Sequence, residues 1–487
     1  MDWSLLRDNS MSESIPVYNI PSQSEHQKPT PSQMGGKIYV RSFTGRFQNI
    51  RIGVAGLLAI LFFATAWINW NGHQAVLWDL GERKFYVFGA TFWPQDFSLL
   101  AFAMVIGAFL LFAVTVFAGR VWCGYACPQS TWTWAFIWME KITEGDSYQR
   151  AKLDASPFSA KKLLRKAAKH SLWIMASIAT AIAFMGYFIP IRHLVPNLLT
   201  ASLELDYAFW VGFIALCTYL NAGWLREKFC THMCPYARFQ SVMFDKDTLV
   251  VAYDSSRGDQ RGSRKKDEAY KARGLGDCVD CYVCVQVCPT GIDIRQGLQM
   301  DCISCAACVD ACDSVMDKMG YARGLISYTS ERELAGEKRV TWRPSLFSYV
   351  AALLIIIAAL LFSLQDRAQI SMSVYRDRNL FHTNAAGEMI NVYRLNITNK
   401  TQKTQIYAVT LDAINDLYLP KPYEVTLAPG ERFDLPVSIR LKRSAPKDST
   451  GFINFNFKVS NINVAQESIL QPATFIYPKM KESVPKQ

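Results

Sequence analysis

Five apolar blocks interrupt an otherwise mixed chain, at roughly Ile50–Trp70, Phe97–Gly119, Ser171–Pro190, Tyr207–Leu225 and Leu346–Leu364. A helix needs about 20 residues to cross a bilayer, so the pattern predicts five membrane spans. Trp67, Trp70, Trp93, Trp122, Trp173, Trp210, Trp224 and Trp342 lie at or near the block ends, as an interfacial aromatic belt requires. Residues 1–36 are polar and rich in Ser, Pro and Gln, which predicts a disordered cytosolic tail. The first apolar block starts too far from the N-terminus for a cleavable signal peptide. From about residue 370 the period changes to two. Phe433, Leu435, Val437, Ile439 and Leu441 fall on one side of a strand, and Ile453, Phe455, Phe457 and Val459 do the same. This predicts an antiparallel β-sandwich over 370–487, immunoglobulin-like by pattern. The fold class is thus a multi-domain membrane protein: a helical bundle of four spans over 37–225, a polar region 226–345, a fifth span 346–364 and a β-sandwich.

Charge then orients the spans. The segment 120–170 carries Arg120, Lys141, Arg150, Lys152, Lys161, Lys162, Arg165, Lys166 and Lys169, whereas 191–206 has only Arg192 against Glu204 and Asp206. Positive residues collect on cytosolic loops. The N-terminus, 120–170 and 226–345 are therefore expected in the cytosol, and the tail in the periplasm of a bacterial inner-membrane protein. The formal net charge of +11 is explained by those loops, without a nucleic-acid partner. The bilayer is the partner the spans imply.

The thirteen cysteines change the picture further. None precedes Cys123 or follows Cys312, and only Cys217, mid-span and expected to pack, stands outside four compact motifs. Every cysteine outside the spans falls on the expected cytosolic side. Such clustering reads as metal ligation and not as a disulfide framework. Cys278-x2-Cys281-x2-Cys284-x3-Cys288-Pro289 and Cys302-x2-Cys305-x2-Cys308-x3-Cys312 form a doubled register within about 270–325. In bacterial ferredoxins three close cysteines wrap one cubane and the fourth ligand comes from the other run. One [4Fe–4S] cluster is then assigned to Cys278, Cys281, Cys284 and Cys312, and the other to Cys302, Cys305, Cys308 and Cys288. Two zinc sites are the alternative for such sets, but the doubled register is more specific to clusters.

Two further pairs, Cys123-x3-Cys127-Pro128 and Cys230-x3-Cys234-Pro235, follow the second and fourth blocks. If the spans pack together, four thiolates can meet in one redox or metal site, and soft thiolates favour Cu(I), zinc or iron–sulfur. His232 and Met233 could add ligands. The pairs can hold copper, hold another metal, or cycle through a disulfide. No histidine pair lies within the bundle to clamp a haem, so no haem is expected.

Lys37-Ile-Tyr39, Gly45-Arg-Phe47, Thr91-Phe-Trp-Pro-Gln-Asp-Phe97, Gly119-Arg-Val-Trp-Cys-Gly-Tyr-Ala-Cys-Pro-Gln129, Glu144-Gly-Asp146 and Cys302–Asp313, where Asp313 replaces the usual proline, resemble the CcoG/FixG/RdxA family of cytochrome oxidase accessory proteins. The resemblance runs from about Lys37 to the C-terminus. It implies an immunoglobulin-like tail and a role in maturing the cbb-type oxidase by reducing Cu(II) to Cu(I). Three readings follow: a cupric reductase acting at Cys123, Cys127, Cys230 and Cys234; an electron-relay subunit carrying electrons from quinol or ferredoxin to another reductase; and an assembly scaffold with structural clusters. The expected partners are a cytosolic electron donor, a copper transporter or chaperone and oxidase assembly factors. The oligomeric state stays open, a homodimer included.

Overall fold

The computed structural model describes residues 37–70, 72–266, 268–365, 369–377, 382–383, 388–401, 403–412, 416–441, 451–463 and 468–477. The tail expected to be disordered over 1–36 lies outside the described residues. Among the described residues, five helices are long and apolar enough to cross a membrane: Arg46–Thr65, Phe97–Ala118, Ala160–Met185, Leu205–Leu225 and Pro344–Leu364.

Their bounds depart from the apolar blocks in two places. The first helix stops at Thr65, and Asn69–Trp70 instead pairs antiparallel with His73–Gln74. The third begins in the basic stretch at Ala160. Lys and Arg are good helix formers, and the Ser159 hydroxyl accepts the Lys162 amide at 3.2 Å, as a helix N-cap does. Hydropathy marks only the apolar part of such a helix. Cys217 is exposed on the fourth helix and not packed as expected, because periodicity alone does not say which face of an apolar helix meets protein.

The chain forms two compact units, described separately. The first holds the described residues up to Leu58, with Leu111–Ser177 and Ala215–Leu346. Its cysteine-rich insert is closed by an antiparallel pair, Val250–Tyr253 with Ile326–Thr329, which lies outside the cysteine-bearing stretch. Asp310 of the insert caps the first helix, accepting the Phe47 amide at 3.2 Å and the Gln48 amide at 2.8 Å. A negative group at a helix N-terminus satisfies orphan amides and the dipole together. Gly45 is required there, since a Cβ would overlap the Asp310 carboxylate. At the end of the second helix, Arg339 and Arg343 donate to the Phe117 and Val116 carbonyls.

The second unit comprises Ala59–Leu110, Ile178–Ile214 and Phe347–Gln487. Between the first and second spans the chain forms a three-stranded antiparallel meander, Val76–Asp79, Lys84–Val87 and Ala90–Phe92. In the C-terminal region, Ile370–Arg376, His382–Thr383, Met389–Asn399, Leu417–Tyr418 and Arg432–Leu441 form one antiparallel sheet. Gln405–Asp412, Tyr423–Leu427, Phe452–Asn461 and Ser468–Ile476 form the other. Both sheets contribute to one buried core, with Tyr393, Leu395 and Val437 from the first and Tyr407, Phe457 and Val459 from the second. Phe433 departs from the expected inward face and is 41% exposed; period two assigns a face but not how far the facing sheet extends. Lys400 forms a buried ion pair with Asp96 at 3.1 Å, which ties the sheets to the start of the second helix.

Candidate functional site

The two cysteine runs of the insert fold alike. In each, the residues flanking the middle cysteine take left-handed backbone: Asp280 and Tyr282 at φ 52° and 57°, Ser304 and Ala306 at φ 51° and 56°. Non-glycine residues seldom adopt such values, and their recurrence at matching positions bends each run into a cup. Cys278, Cys281, Cys284 and Cys312 line one cavity. Cys288, Cys302, Cys305 and Cys308 line a second, which Cys284 also touches. The grouping matches the crossed sets expected from the spacing. Burial pushes the Cys302 and Cys312 thiols up to about 12, and it raises Cys284, Cys288 and Cys308 as well. Neighbouring thiols add to this shift, so these five persist together as thiolates only when a cationic centre offsets their charge. Four inward thiols per cavity and the soft donor set fit a [4Fe–4S] cluster in each.

The twin pairs sit on breaks and not on single helices. Cys123 belongs to the short helix Val121–Tyr125, and Cys127 caps Pro128–Glu144 with extended backbone. Cys230 lies in a wide turn over Phe229–Met233, where the Cys234 amide reaches back to the Phe229 carbonyl at 2.9 Å. Cys234 then caps Pro235–Val242. Each proline opens the next helix, where its missing N–H costs nothing.

Packing brings the pairs together. The Cys123 thiol donates to Gln240 Oε1 at 3.4 Å. Gln240, fully buried, is on the helix that follows the second pair, and its Nε2 donates to Thr115 at 3.3 Å. The buried Arg120 donates to the carbonyls of Ala237 and Met300, joining that helix to the insert. Burial, then Cys127, Cys230 and Cys234, push the Cys123 thiol up to about 12, while Arg120 opposes them. Cys230 is raised to about 11 by burial, then by Cys127 and Cys234. The four expected thiols thus sense one another. Among the described residues no three His, Cys, Asp or Glu side chains stand grouped around one single ion, either in the insert or at the twin pairs. His232 and Met233 are both exposed, and the His232 ring engages the Thr231 hydroxyl at 2.6 Å.

The first pair also rests against the insert. A Cβ on Gly124 would come within 2.9 Å of the Cys305 Cα and the Ile303 carbonyl. Cys123 packs against the group of Val287, Ile303 and Cys305. Tyr125 meets Tyr328 at 3.2 Å between the hydroxyls, and Tyr328 donates to the Ser304 carbonyl. Glycine at 124 lets the backbone of the pair lie against the loop of the second cavity.

A buried charge cluster supports the second pair. Glu140, 1% exposed, accepts from Arg150 and Arg226 at 2.7 Å each. Burial would raise its carboxyl, but Arg226, Arg150 and Lys169 outweigh burial and hold it below its ordinary range. Arg226 also donates to the Gly223 carbonyl at 2.7 Å, fixing the turn that leads to Cys230. Sequence reasoning missed Gln240, Arg226 and Glu140, which carry no spacing signal. Arg120 and Gly124 lie inside the quoted motif around Cys123 but had been given no role.

Comparison with known proteins agrees with this picture. A 4Fe–4S dicluster domain model matches residues 225–331, and a 4Fe–4S binding domain model matches 100–138. A model described as an IG-like fold at the C-terminus of FixG matches 360–478. Nitrogen fixation protein FixG of Rhizobium meliloti is 36% identical over 416 residues, covering 78% of this chain and 79% of that protein. Protein RdxA of Cereibacter sphaeroides is 34% identical over 434 residues, covering 85% and 90%. A crystal structure of a FixG-related protein from Vibrio parahaemolyticus aligns with 23% of this chain and 98% of its own, at 28% identity and a TM-score of 0.21. The chain belongs to the FixG/RdxA family and is an iron–sulfur electron-transfer protein.

Proposed function

We propose that this protein reduces Cu(II) to Cu(I) at the cytosolic face of the bacterial inner membrane and supplies it for assembly of a cbb-type cytochrome oxidase. The observation that carries the reading is the backbone contact between Gly124, inside the first thiol pair, and Cys305, in the wall of the second insert cavity. Cys278, Cys281, Cys284 and Cys312 hold one [4Fe–4S] cluster, and Cys288, Cys302, Cys305 and Cys308 the other. When bound, the clusters supply one-electron storage. Cys123, Cys127, Cys230 and Cys234 bind copper as substrate. Their thiolates prefer Cu(I) to Cu(II), so the site favours its product. Arg120 helps hold the arms of the two pairs together. A copper transporter or chaperone takes the product, and oxidase assembly factors meet the periplasmic C-terminal domain. The expected orientation rests on the basic residues of 120–170 and on the absence of cysteine from 71–96, 191–206 and 365–487.

A second reading has its own support: the 4Fe–4S binding domain model covers 100–138 and so includes Cys123 and Cys127. In that case the twin pairs hold a further iron–sulfur centre and the chain is an electron relay.

An anaerobic Cu(II) titration of the reduced protein, with a Cu(I) chelator present, separates the readings. The copper reading expects cluster reoxidation matched by Cu(I) formation, both lost in Cys123→Ser/Cys234→Ser at unchanged iron content. Iron lost from that variant supports the relay. Clusters that stay reduced in wild type on adding Cu(II) refute the reductase.

A further inference from the structure

A cavity of about 520 Å³ lies within the unit that holds the insert. That volume suits one small organic ligand. The first helix contributes Arg51, the helix Pro128–Glu144 contributes Trp134 and Trp138, and the turn before Cys230 contributes Glu227. The remaining wall includes Thr290 and Ile303 of the insert.

Two independent observations define what it holds. Arg51 is only 8% exposed and lines the cavity, yet among the described residues its guanidinium has no hydrogen-bond or ion-pair partner. Its guanidinium nitrogens are not sealed off but face the cavity, where they can donate to an oxygen acceptor on a ligand. Secondly, the far wall belongs to the second cysteine cavity: the Thr290 hydroxyl stands 3.3 Å from Cys288 Sγ, and Ile303 lies between Cys302 and Cys305. Trp134 and Trp138 are one turn apart on a helix and share a face, offering flat surfaces to an aromatic ring. A phospholipid headgroup satisfies Arg51 but gives no reason for a redox wall or for paired indoles.

We propose that this cavity binds the head group of a lipid-soluble quinol, which is the electron donor of the protein; the proposal rests on the iron–sulfur reading and is independent of copper. Quinol oxidation breaks two O–H bonds and yields quinone, two protons and two electrons. The protons leave to water at the open side of the cavity, and the two electrons would be taken up by the one-electron centres that the cysteines of the two insert cavities would hold. Arg51 donates to a quinol oxygen, and Trp134 stacks on the ring.

The test uses the full chain with its clusters in lipid nanodiscs. A short-chain azidoquinone is photo-crosslinked and mapped by mass spectrometry, and decylubiquinol or dithionite then drives Cu(I) formation. The expected label lies on peptides containing Trp134 or Ile303 and is competed by decylubiquinone. Arg51→Gln and Trp134→Ala should each cut labelling and quinol-driven turnover at least tenfold, with iron content and dithionite-driven turnover unchanged. Labelling elsewhere, labelling indifferent to both substitutions, or competition by phosphatidylglycerol in place of quinone overturns the proposal. Dithionite-driven turnover that fails in wild type, with labelling intact, removes the copper reading and leaves this one standing.

Discussion

The insert and the twin pairs both gather thiols, but by different means. Each insert run is a local device: three cysteines fall within seven residues, and two left-handed residues fold them into a cup. Only Cys288 and Cys312 cross from one run to the other. The twin pairs are a tertiary device. Cys123 and Cys234 come near each other because Gln240 and Arg120 join distant helices. Local gathering withstands change elsewhere in the fold, whereas tertiary gathering fails when packing around it fails.

The sharpest way to break this contrast is Gly124→Val. Its Cβ meets backbone atoms of Ile303 and Cys305 at 2.9 Å, which cannot swing aside as a side chain would. Cu(II)-dependent reoxidation should slow by on the order of a hundredfold (about 2.7 kcal/mol in the barrier), while iron content stays intact. Stopped-flow absorbance under argon reads both.

Removing a cross-ligand sharpens the other half. Cys312→Ser should abolish the electron paramagnetic resonance signal of one cluster and preserve that of the other. Loss of both signals would mean that the runs do not fold independently enough for the crossed assignment.

Glu140→Gln tests the support beneath the second pair. Removing the carboxylate leaves Arg150 and Arg226 buried without their partner, a change of roughly 3 kcal/mol. Thermal unfolding should begin well below wild type. The pH dependence follows from the lowered carboxyl. Its stabilisation is present above the unfolded-state value of about 4.3 and is lost as pH falls through the lower folded value, because the proton binds the unfolded chain more tightly. The acid slope should therefore flatten in the variant.

The smallest effect expected is for Gln240→Leu, which removes the acceptor of the Cys123 thiol at 3.4 Å. One neutral hydrogen bond is worth about 1 kcal/mol. Because that bond holds Cys123 as the protonated thiol, which metal binding must deprotonate, Cu(I) affinity at the pairs, read by competition with a chromogenic chelator, should rise by only a few fold.

Much of this molecule was legible along the chain. Five apolar blocks became five helices, although hydropathy missed the basic turns of the third from Ala160. The alternation around Val437 and Phe457 did place those residues in a shared core, but Phe433 escaped it. The crossed sets of insert cysteines could be expected from sequence because a cubane-binding run is short, and each expected set lines one cavity. The proximity of the two C-x3-C-P pairs was only a conditional expectation, since spacing says nothing about which helix ends pack.

Sequence by itself therefore determined the features that depend on near neighbours: helix length, strand alternation, the proline that opens each helix after Cys127 and Cys234, and the cupped cysteine runs. Tertiary structure alone decided that Gly124 lies against Cys305, that Asp310 caps the first helix, and that Arg51 is buried against a cavity. The reason is physical. Near-neighbour features follow from backbone geometry and periodicity over a few residues, whereas contacts between segments a hundred residues apart are selected by packing and burial of the whole chain, which no local pattern records.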